Sequence, residues 1–192
     1  MKAVLASRNA HKARELERLL PGWEIHVLDA DDYPPETGDT YYANARAKAL
    51  FARERLDGGA WVLGEDSGIE VEGLGGGPGV TSSRSAAGDE VGWMLHALAA
   101  AEADARRARY VSELVALGPG GKELRGTGTL AGRIAHAPSG AEGFGFDPVF
   151  VPDGETRTVA DLGDEWKLQH SHRAKAAQAL DAALTASAEA GS

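Results

Sequence analysis

The sequence predicts an α/β protein in which a mixed, twisted sheet carries helices on both faces. Strand and helix patterns alternate along the first part of the chain, and this alternation favours parallel strands joined by helices. Farther along, the Gly-Pro-Gly-Gly segment at residues 118–121 separates two strand patterns and indicates an antiparallel hairpin. A chain of 192 residues is long enough to bury a substantial core, so we expect a single domain over residues 1–192.

Each strand is predicted from a short run of apolar and β-branched residues bounded by turn-forming residues. We expect strands at residues 1–6, 24–28, 61–64, 69–71, 109–117, 122–127, 130–135 and 148–151. Glycine-rich loops are expected at residues 64–68, 73–79, 126–128 and 143–148. Such loops suit a nucleotide site because glycine lets the backbone approach a ligand closely. None of them matches the common G-x-x-x-x-G-K-[ST] or G-x-G-x-x-G motifs.

Helices are predicted from apolar residues at helical spacing and from residues that can cap a first turn. The first helix shows both signals, with Asn9 as the cap and Leu16, Leu19 and Leu20 as the apolar stripe. We expect helices at residues 9–20, 40–56, 89–105 and 171–187. Residues 188–192 follow the last of these, and we expect this tail to fray.

The composition excludes several classes of partner. Lys and Arg number 20 against 29 Asp and Glu, and this net charge of -9 argues against a nucleic-acid backbone or an anionic membrane surface as the partner. The chain has no cysteine, so disulfides and thiolate metal sites are excluded. Apolar stretches such as residues 97–101 are too short to span a bilayer. We therefore expect a soluble, cytoplasmic protein.

The first predicted helix begins among basic side chains, which is an unfavourable charge for a helix start. Arg8, His11 and Lys12 surround the cap residue Asn9. Cations there cost about 0.3–1 kcal/mol each, because the first-turn N–H groups already carry partial positive charge. An anion would be held well at such a turn. Two interpretations stay open, an anion-binding turn and a solvated basic turn.

The last predicted helix repeats this pattern. Ser171 is its expected cap, and His172 and Arg173 occupy its first turn. Lys167 adds a third positive charge if the chain folds back between it and Ser171. A ligand with several phosphates would explain the basic residues at both helix starts together.

Two adjacent carboxylates follow an apolar run and are candidates for the chemistry. Glu65 and Asp66 come directly after residues 61–63, at the expected C-terminal end of a buried strand, where open α/β sheets build their sites. A pair of carboxylates can hold Mg²⁺ or orient a water. Glu36 adds a possible further ligand from an acidic loop. The alternatives are a capped turn with solvated acids and, for Glu36, a loop residue that aids solubility.

Aromatic residues are concentrated in one loop of a chain that is only 6% aromatic. Phe144 and Phe146 flank a glycine and precede Asp147, so each ring could stack on a base, while Asp147 could accept hydrogen bonds from the base edge. The alternative is that at least one ring anchors the core and that Asp147 caps the loop.

Taken together, these segments form an ordered set from the first strand to the last helix. The set comprises residues 7–12, 36–38, 44–45, 48–49, 65–68, 77–79 with Arg84, 143–148, Lys167 and 171–173. In this order the chain resembles the inosine/xanthosine triphosphate pyrophosphatase family, the Ham1-like proteins. The resemblance implies an elongated mixed α/β fold with two lobes around a central cleft. It also implies a homodimer, dependence on Mg²⁺, and cleavage of non-canonical purine nucleoside triphosphates to monophosphate and pyrophosphate.

The resemblance also implies roles for particular residues. Asp66 is the expected general base, and Glu36 and Asp66 are the expected metal-linked carboxylates. The expected triphosphate-binding turn consists of Ser7, Arg8, Asn9, Ala10, His11 and Lys12. The remaining expected substrate contacts are Ser67, Phe144, Gly145, Phe146, Asp147, Lys167, His172 and Arg173.

The chain departs from the family's pattern at several positions. Pro35 stands where many relatives carry an acid, Thr81 replaces a frequent Tyr, and residues 84–93 are a shortened stretch. Glu113 lies in a strand where an apolar residue is usual. Two other functions are kept as alternatives: a pyrophosphatase for other modified nucleotides, similar to the Maf-like proteins, and a sensor that binds a triphosphate without hydrolysing it.

Overall fold

The computed structural model of the protein describes residues 1–56 and 58–189. Its sheet has six strands in the order β2-β1-β3-β4-β5-β6. The strands are β1 Lys2–Ala6, β2 Glu24–Val27, β3 Trp61–Val71, β4 Arg107–Leu117, β5 Glu123–Ile134 and β6 Phe150–Pro152. Strand β1 runs parallel to both β2 and β3, whereas β5 and β6 are antiparallel. The predicted mixed sheet is therefore confirmed.

The helices are α1 Ala10–Leu19, α2 Tyr41–Arg53, α3 Ser82–Ala86, α4 Glu90–Ala97, α5 Val159–Leu162, α6 Asp164–His170 and α7 His172–Glu189. Three of the four predicted helices agree with α1, α2 and α7 to within a few residues. The prediction for 89–105 was too long, because α4 ends at Ala97 and a separate 3-10 turn follows at Asp104–Arg106. Residues 188 and 189 of the predicted tail belong to α7, and residues 190–192 lie outside the described residues.

The chain divides into two compact units. One contains Met1–Asp66, Ser112–Gly128 and the segment from His172 onward, and the other contains Ser67–Val111 and Thr129–Ser171. Strands β3, β4 and β5 each contribute residues to both units. That the whole chain behaves as a single domain stays a prediction.

In the first unit, helices cover both faces of the sheet. Leu5 and Leu63 point to the face on which α1 and α7 pack, through residues such as Leu16 and Leu180. Their neighbours in the strands, Ala6 and Val62, point to the opposite face, where Ala45, Ala49 and Ala52 of α2 pack. This alternation follows from the two-residue period of a strand, and it explains why these strands are apolar at consecutive positions.

The second unit has its own apolar core. Ile69 and Val71 of β3 pack there with Met94 of α4 and with Phe146 and Phe150. Phe146 is 5% exposed and Phe150 is fully buried. Within the part of the chain that the structure describes, no helix is long and apolar enough to cross a membrane.

Two of the predicted glycine loops, 64–68 and 126–128, lie inside strands. Each had divided a continuous strand, β3 or β5, into two predicted pieces. A Cβ atom on Gly64 would lie 2.0 Å from the carbonyl oxygen of Ala45 in α2, and one on Gly128 would lie 2.0 Å from the carbonyl oxygen of His172 in α7. These glycines therefore allow helices to pack directly against the sheet. The glycines that predicted turns at these two positions indicate close packing of a helix on the sheet.

The predicted hairpin after β4 agrees with the structure. Strands β4 and β5 are neighbours in the sheet, and the connecting segment is closed by the Gly118 N–H, which donates to the carbonyl oxygen of Lys122 at 2.7 Å. Gly120 and Gly121 have φ of 72° and 83°, a region that favours glycine.

Candidate active site

The turn before α1 is built as a capped helix start. The Asn9 side chain accepts hydrogen bonds from the backbone N–H groups of His11 at 2.9 Å and Lys12 at 3.2 Å, and Ser7 Oγ accepts from the Asn9 N–H at 3.1 Å. Arg8 donates to the carbonyl oxygen of Asp31 at 2.7 Å. The predicted cap is thus confirmed, and the first turn of α1 contains no acidic residue. Ala10 and His11 are exposed beside it.

Glu65 is the anion that lies at both basic helix starts. Its carboxylate lies 2.8 Å from Lys12 Nζ and 3.2 Å from Arg173 Nε, and it accepts a hydrogen bond from Ser112 Oγ at 3.0 Å. Arg173 also contacts Glu15 of α1. Burial alone would raise the pKa of Glu65, but the charges of Lys12 and Arg173 outweigh it and hold this pKa well below its usual range.

The first two residues of α7 are buried. Arg173 is 2% exposed and His172 is 5% exposed. Glu15 and Glu65, which pair with Arg173, lie within the same unit. This arrangement ties α7 to α1 and β3 through one buried ion network. The predicted contact of His172 and Arg173 with substrate stays a prediction.

Asp66 lies in a second polar cluster, with residues of α2. Asn44 Nδ2 donates to its Oδ2 at 3.1 Å, and Lys48 Nζ lies 2.9 Å from its Oδ1. Lys48 Nζ also lies 2.5 Å from Glu36 Oε1. Asp66 is 3% exposed, and burial raises its pKa above the ordinary value despite the opposing charges of Lys48 and Lys12. The cluster thus holds a buried carboxylate whose proton affinity is increased.

The placement of Glu65 and Asp66 at a strand end was wrong. Both lie in the middle of β3, which continues beyond them to Val71. Since successive side chains in a strand alternate between faces, Glu65 faces α1 and α7 while Asp66 faces α2. The two carboxylates therefore do not form one ligand pair, and the hypothesis that they share a metal is corrected.

Glu36 and Asp66 are the two carboxylates of this cluster that could hold a magnesium ion. Glu36 and Asp66 approach the same positive centre, the Lys48 ammonium, so their carboxylate oxygens converge on one cation position. One or two carboxylates together with substrate phosphates are the usual protein ligands of Mg²⁺. Among residues 1–56 and 58–189, no group of three or more His, Asp or Glu side chains is arranged to hold a metal ion. A metal here would rely on the two carboxylates and on the substrate.

The aromatic turn in the second unit is organised by Asp147. Its Oδ2 accepts from the Phe144 N–H at 2.8 Å and from Lys167 Nζ at 2.8 Å, and Tyr110 OH donates to its Oδ1 at 3.3 Å. Gly145 has a φ of 65°, which the turn requires and glycine tolerates. Asp147 therefore caps the loop, as one of the two alternatives predicted, and its contact with a base stays a prediction.

The two phenylalanines of this turn have different surroundings. Phe146 is buried in the core of the second unit, so it is the predicted core anchor. Phe144 is half-buried, and Lys167 Nζ lies 4.4 Å from the centroid of its ring. The ring of Phe144 is thus the better placed of the two to meet a ligand.

The predicted site residues fall into groups. In the first unit, one group surrounds Glu65 and another surrounds Asp66, while the aromatic turn and Lys167 lie in the second unit with the half-buried Ser67 of β3. The motif set includes Asn44 and Lys48 but predicts no role for either. Their i, i+4 spacing on α2 placed both on one helix face, and that spacing was the signal that could have linked them to Asp66.

Comparison with known proteins identifies the family of this chain. Residues 3–183 match the model of the Ham1 family. The chain belongs to the Ham1 family. It is 44% identical over 180 residues to a dITP/XTP pyrophosphatase of Symbiobacterium thermophilum, covering 90% of this chain and 89% of that relative. It is 41% identical over 184 residues to a dITP/XTP pyrophosphatase of Deinococcus deserti, covering 94% of this chain and 88% of that relative.

Solved structures of Ham1 proteins have the same fold. The Ham1 protein of Staphylococcus aureus superposes with a TM-score of 0.81 and 32% identity, covering 97% of this chain and 100% of that one. The Ham1 match extends from β1 into α7 and includes the Glu65 and Asp66 clusters. The predicted family and its mixed α/β fold are therefore confirmed.

Proposed function

We propose that this Ham1-family protein hydrolyses non-canonical purine nucleoside triphosphates, namely dITP, ITP and XTP, to the monophosphate and pyrophosphate. The observation that carries the proposal is the buried Asp66 held between Lys48 and Asn44 in a chain of this family. The names of the relatives support the substrate class. Removing such nucleotides would cleanse the pool from which nucleic acids are made.

In the proposed reaction, Asp66 orients a water molecule and accepts its proton. Its raised pKa supports this role, because a stronger base removes a proton more readily. The water attacks the α-phosphorus, the bond to the bridging oxygen breaks, and pyrophosphate leaves. Lys12 and the donors of the α1 turn would bind the phosphates. Positive groups at these positions neutralise charge in the transition state, which is the main source of rate in phosphoryl chemistry.

We propose Mg²⁺ as the cofactor, held by Glu36 and Asp66. When bound, the ion would supply positive charge to the phosphate oxygens. The convergence of both carboxylates on Lys48 supports this assignment. We also propose a homodimer, which the family resemblance supports, and a cytoplasmic location, which is compatible with a chain that contains no cysteine. Light scattering in solution and cell fractionation test these two proposals.

The test is pyrophosphate release from ITP, dITP, XTP, ATP and GTP, with Mg²⁺ and with a chelator. We expect kcat/KM for ITP and XTP to exceed that for ATP by at least about tenfold, because a buried donor aimed at O6 would be unpaired against the 6-amino group of adenine. Asp66→Asn is the control for contaminating activity. Absence of pyrophosphate release would favour the sensor, and a preference for other modified bases would favour the Maf-like alternative.

The position of attack is tested separately in water enriched in ¹⁸O. Attack on the α-phosphorus places the label in the monophosphate, whereas attack on the β-phosphorus places it in pyrophosphate. Label found in pyrophosphate would contradict the proposed mechanism while leaving the overall hydrolysis intact.

A further inference from the structure

The ammonium group of Lys48 occupies the position on which Glu36 and Asp66 converge. Its Nζ lies 2.5 Å from Glu36 Oε1, 2.9 Å from Asp66 Oδ1 and 3.1 Å from the backbone carbonyl oxygen of Glu65. The Lys48 side chain is only 15% exposed. Two carboxylates and a carbonyl therefore already surround one cation, and that cation belongs to the protein.

The carboxylate oxygens of Glu36 and Asp66 cannot interact fully with Lys48 and with a second cation at the same time. A divalent ion bound to Glu36 and Asp66 would lie a few ångströms from the Lys48 charge, and in a partly buried site such repulsion is weakly screened. The ion would also have to take over oxygens that Lys48 contacts. A triphosphate changes this balance, because its oxygens offer both the metal and Lys48 additional negative partners.

We propose that Lys48 is the resident counter-cation of Glu36 and Asp66 and keeps the divalent-metal affinity of the nucleotide-free protein low. The metal then enters together with the triphosphate. Asn44, one helical turn earlier, contacts the other oxygen of Asp66 at 3.1 Å, so α2 fixes the carboxylate while Lys48 sets its affinity for cations. The inference rests on the proposed function only in assigning Glu36 and Asp66 as the metal carboxylates.

The test measures Mn²⁺ binding to the nucleotide-free protein by the electron paramagnetic resonance signal of free Mn²⁺. We expect Lys48→Met to bind Mn²⁺ at least about tenfold more tightly than the unmodified protein, because a like charge has been removed. Lys48→Arg keeps the charge and should bind as weakly as the unmodified protein. Lys48→Gln repeats the measurement if the Met variant does not fold.

The matched control is Arg46→Met, on the same helix. It removes the same charge, but the ion pair of Arg46 is with Glu123, at 2.9 Å. Mn²⁺ affinity should be unchanged in this variant. Combining Lys48→Met with Asp66→Asn should abolish the gain, because the vacated carboxylate is what binds the ion.

The linkage to nucleotide is measured with the α,β-methylene analogue of ITP, which cannot be cleaved at the proposed bond. In the unmodified protein the analogue should tighten Mn²⁺ binding strongly, and in Lys48→Met it should do so by a smaller factor. Equal Mn²⁺ affinity of Lys48→Met and the unmodified protein without nucleotide would overturn the inference. If Lys48→Met gains Mn²⁺ affinity but the unmodified protein hydrolyses no triphosphate, the proposed function fails and the role of Lys48 stands.

Discussion

Glu65 and Asp66 are consecutive residues of β3 whose carboxylates face opposite sides of the sheet. Glu65 joins the starts of α1 and α7 through Lys12 and Arg173, whereas Asp66 faces α2 and contacts Lys48. One dipeptide therefore supplies a buried structural anion and a candidate catalytic base. The difference in environment also separates their proton affinities, since the pKa of Glu65 is lowered and that of Asp66 is raised.

Replacing Asp66 by Asn should lower kcat by at least about 10²-fold, the lower end of what a positioned general base contributes. Asn keeps the shape of the side chain but cannot accept the proton. Binding of the uncleavable ITP analogue, measured without divalent metal, should largely survive, because the α1 turn is unchanged. Steady-state kinetics and calorimetry measure the two quantities. Near-normal turnover would exclude Asp66 as the base.

Glu65 should make the stability of the fold sensitive to acid. Its pKa in the fold lies below the ordinary value of 4.5, so the stability it adds is fully present above about pH 4.5 and is lost as the pH falls toward the lower folded value. Urea unfolding between pH 7 and pH 3 should therefore show a smaller loss for Glu65→Gln than for the unmodified protein. Glu17→Gln, an exposed change on α1, is the control. If the free energy of unfolding depends on pH identically in all three proteins, Glu65 is not the source of the acid sensitivity.

Local sequence patterns predict much of the fold. The features that these patterns predict wrongly have identifiable physical causes. The strands and the capped start of α1 were predicted because their signals lie within a few neighbouring residues. Gly64 and Gly128 were placed in loops because, taken locally, glycine indicates a turn. Their role is to admit α2 and α7, and it depends on helices far away in the sequence.

Prediction of the candidate site was also limited by contacts between residues far apart in the sequence. Basic residues at two helix starts led to the prediction of an anion, and the resemblance supplied the substrate that would provide it. The sequence did not reveal that Glu65 contacts both starts, because Arg173 lies 108 residues from it along the chain. Short-range spacing was informative for Asn44 and Lys48, which share a face of α2. Contacts of this long range become evident only once the sheet is assembled.

Lys12 and Arg173 should differ in their effects although both contact Glu65. Arg173→Ala should lower the free energy of unfolding by about 3–5 kcal/mol, because it removes a buried guanidinium that pairs with both Glu65 and Glu15. Lys12→Ala should cost less stability and weaken triphosphate binding by about tenfold or more, because its side chain is 16% exposed and can reach a ligand. Urea unfolding and calorimetry separate the effects. An unaltered triphosphate affinity in Lys12→Ala would remove Lys12 from the phosphate site.

Gly128→Ala should destabilise the protein by forcing α7 away from β5. The added Cβ would lie 2.0 Å from the carbonyl oxygen of His172 and 2.5 Å from the nitrogen of Ala176, both backbone atoms of α7. We expect a cost of about 3 kcal/mol or more, and a fall in Tm of about 6 °C or more by calorimetry. Gly22→Ala meets nothing within 4 Å and should leave Tm nearly unchanged. Equal Tm values for the two variants would refute the close-packing role.

Phe144→Ala should raise KM for every purine triphosphate by a similar factor of about ten, because a ring that stacks on a base contributes about 1–3 kcal/mol without reading its edge. The ratio of kcat/KM between ITP and ATP should therefore stay the same. Phe146→Ala is the contrasting variant: its ring is 5% exposed in the core, so it should lower stability by about 3–5 kcal/mol. Steady-state kinetics at a temperature where both variants remain folded is the measurement. A changed ITP to ATP ratio in Phe144→Ala would show that this turn discriminates between bases and does not only stack on them.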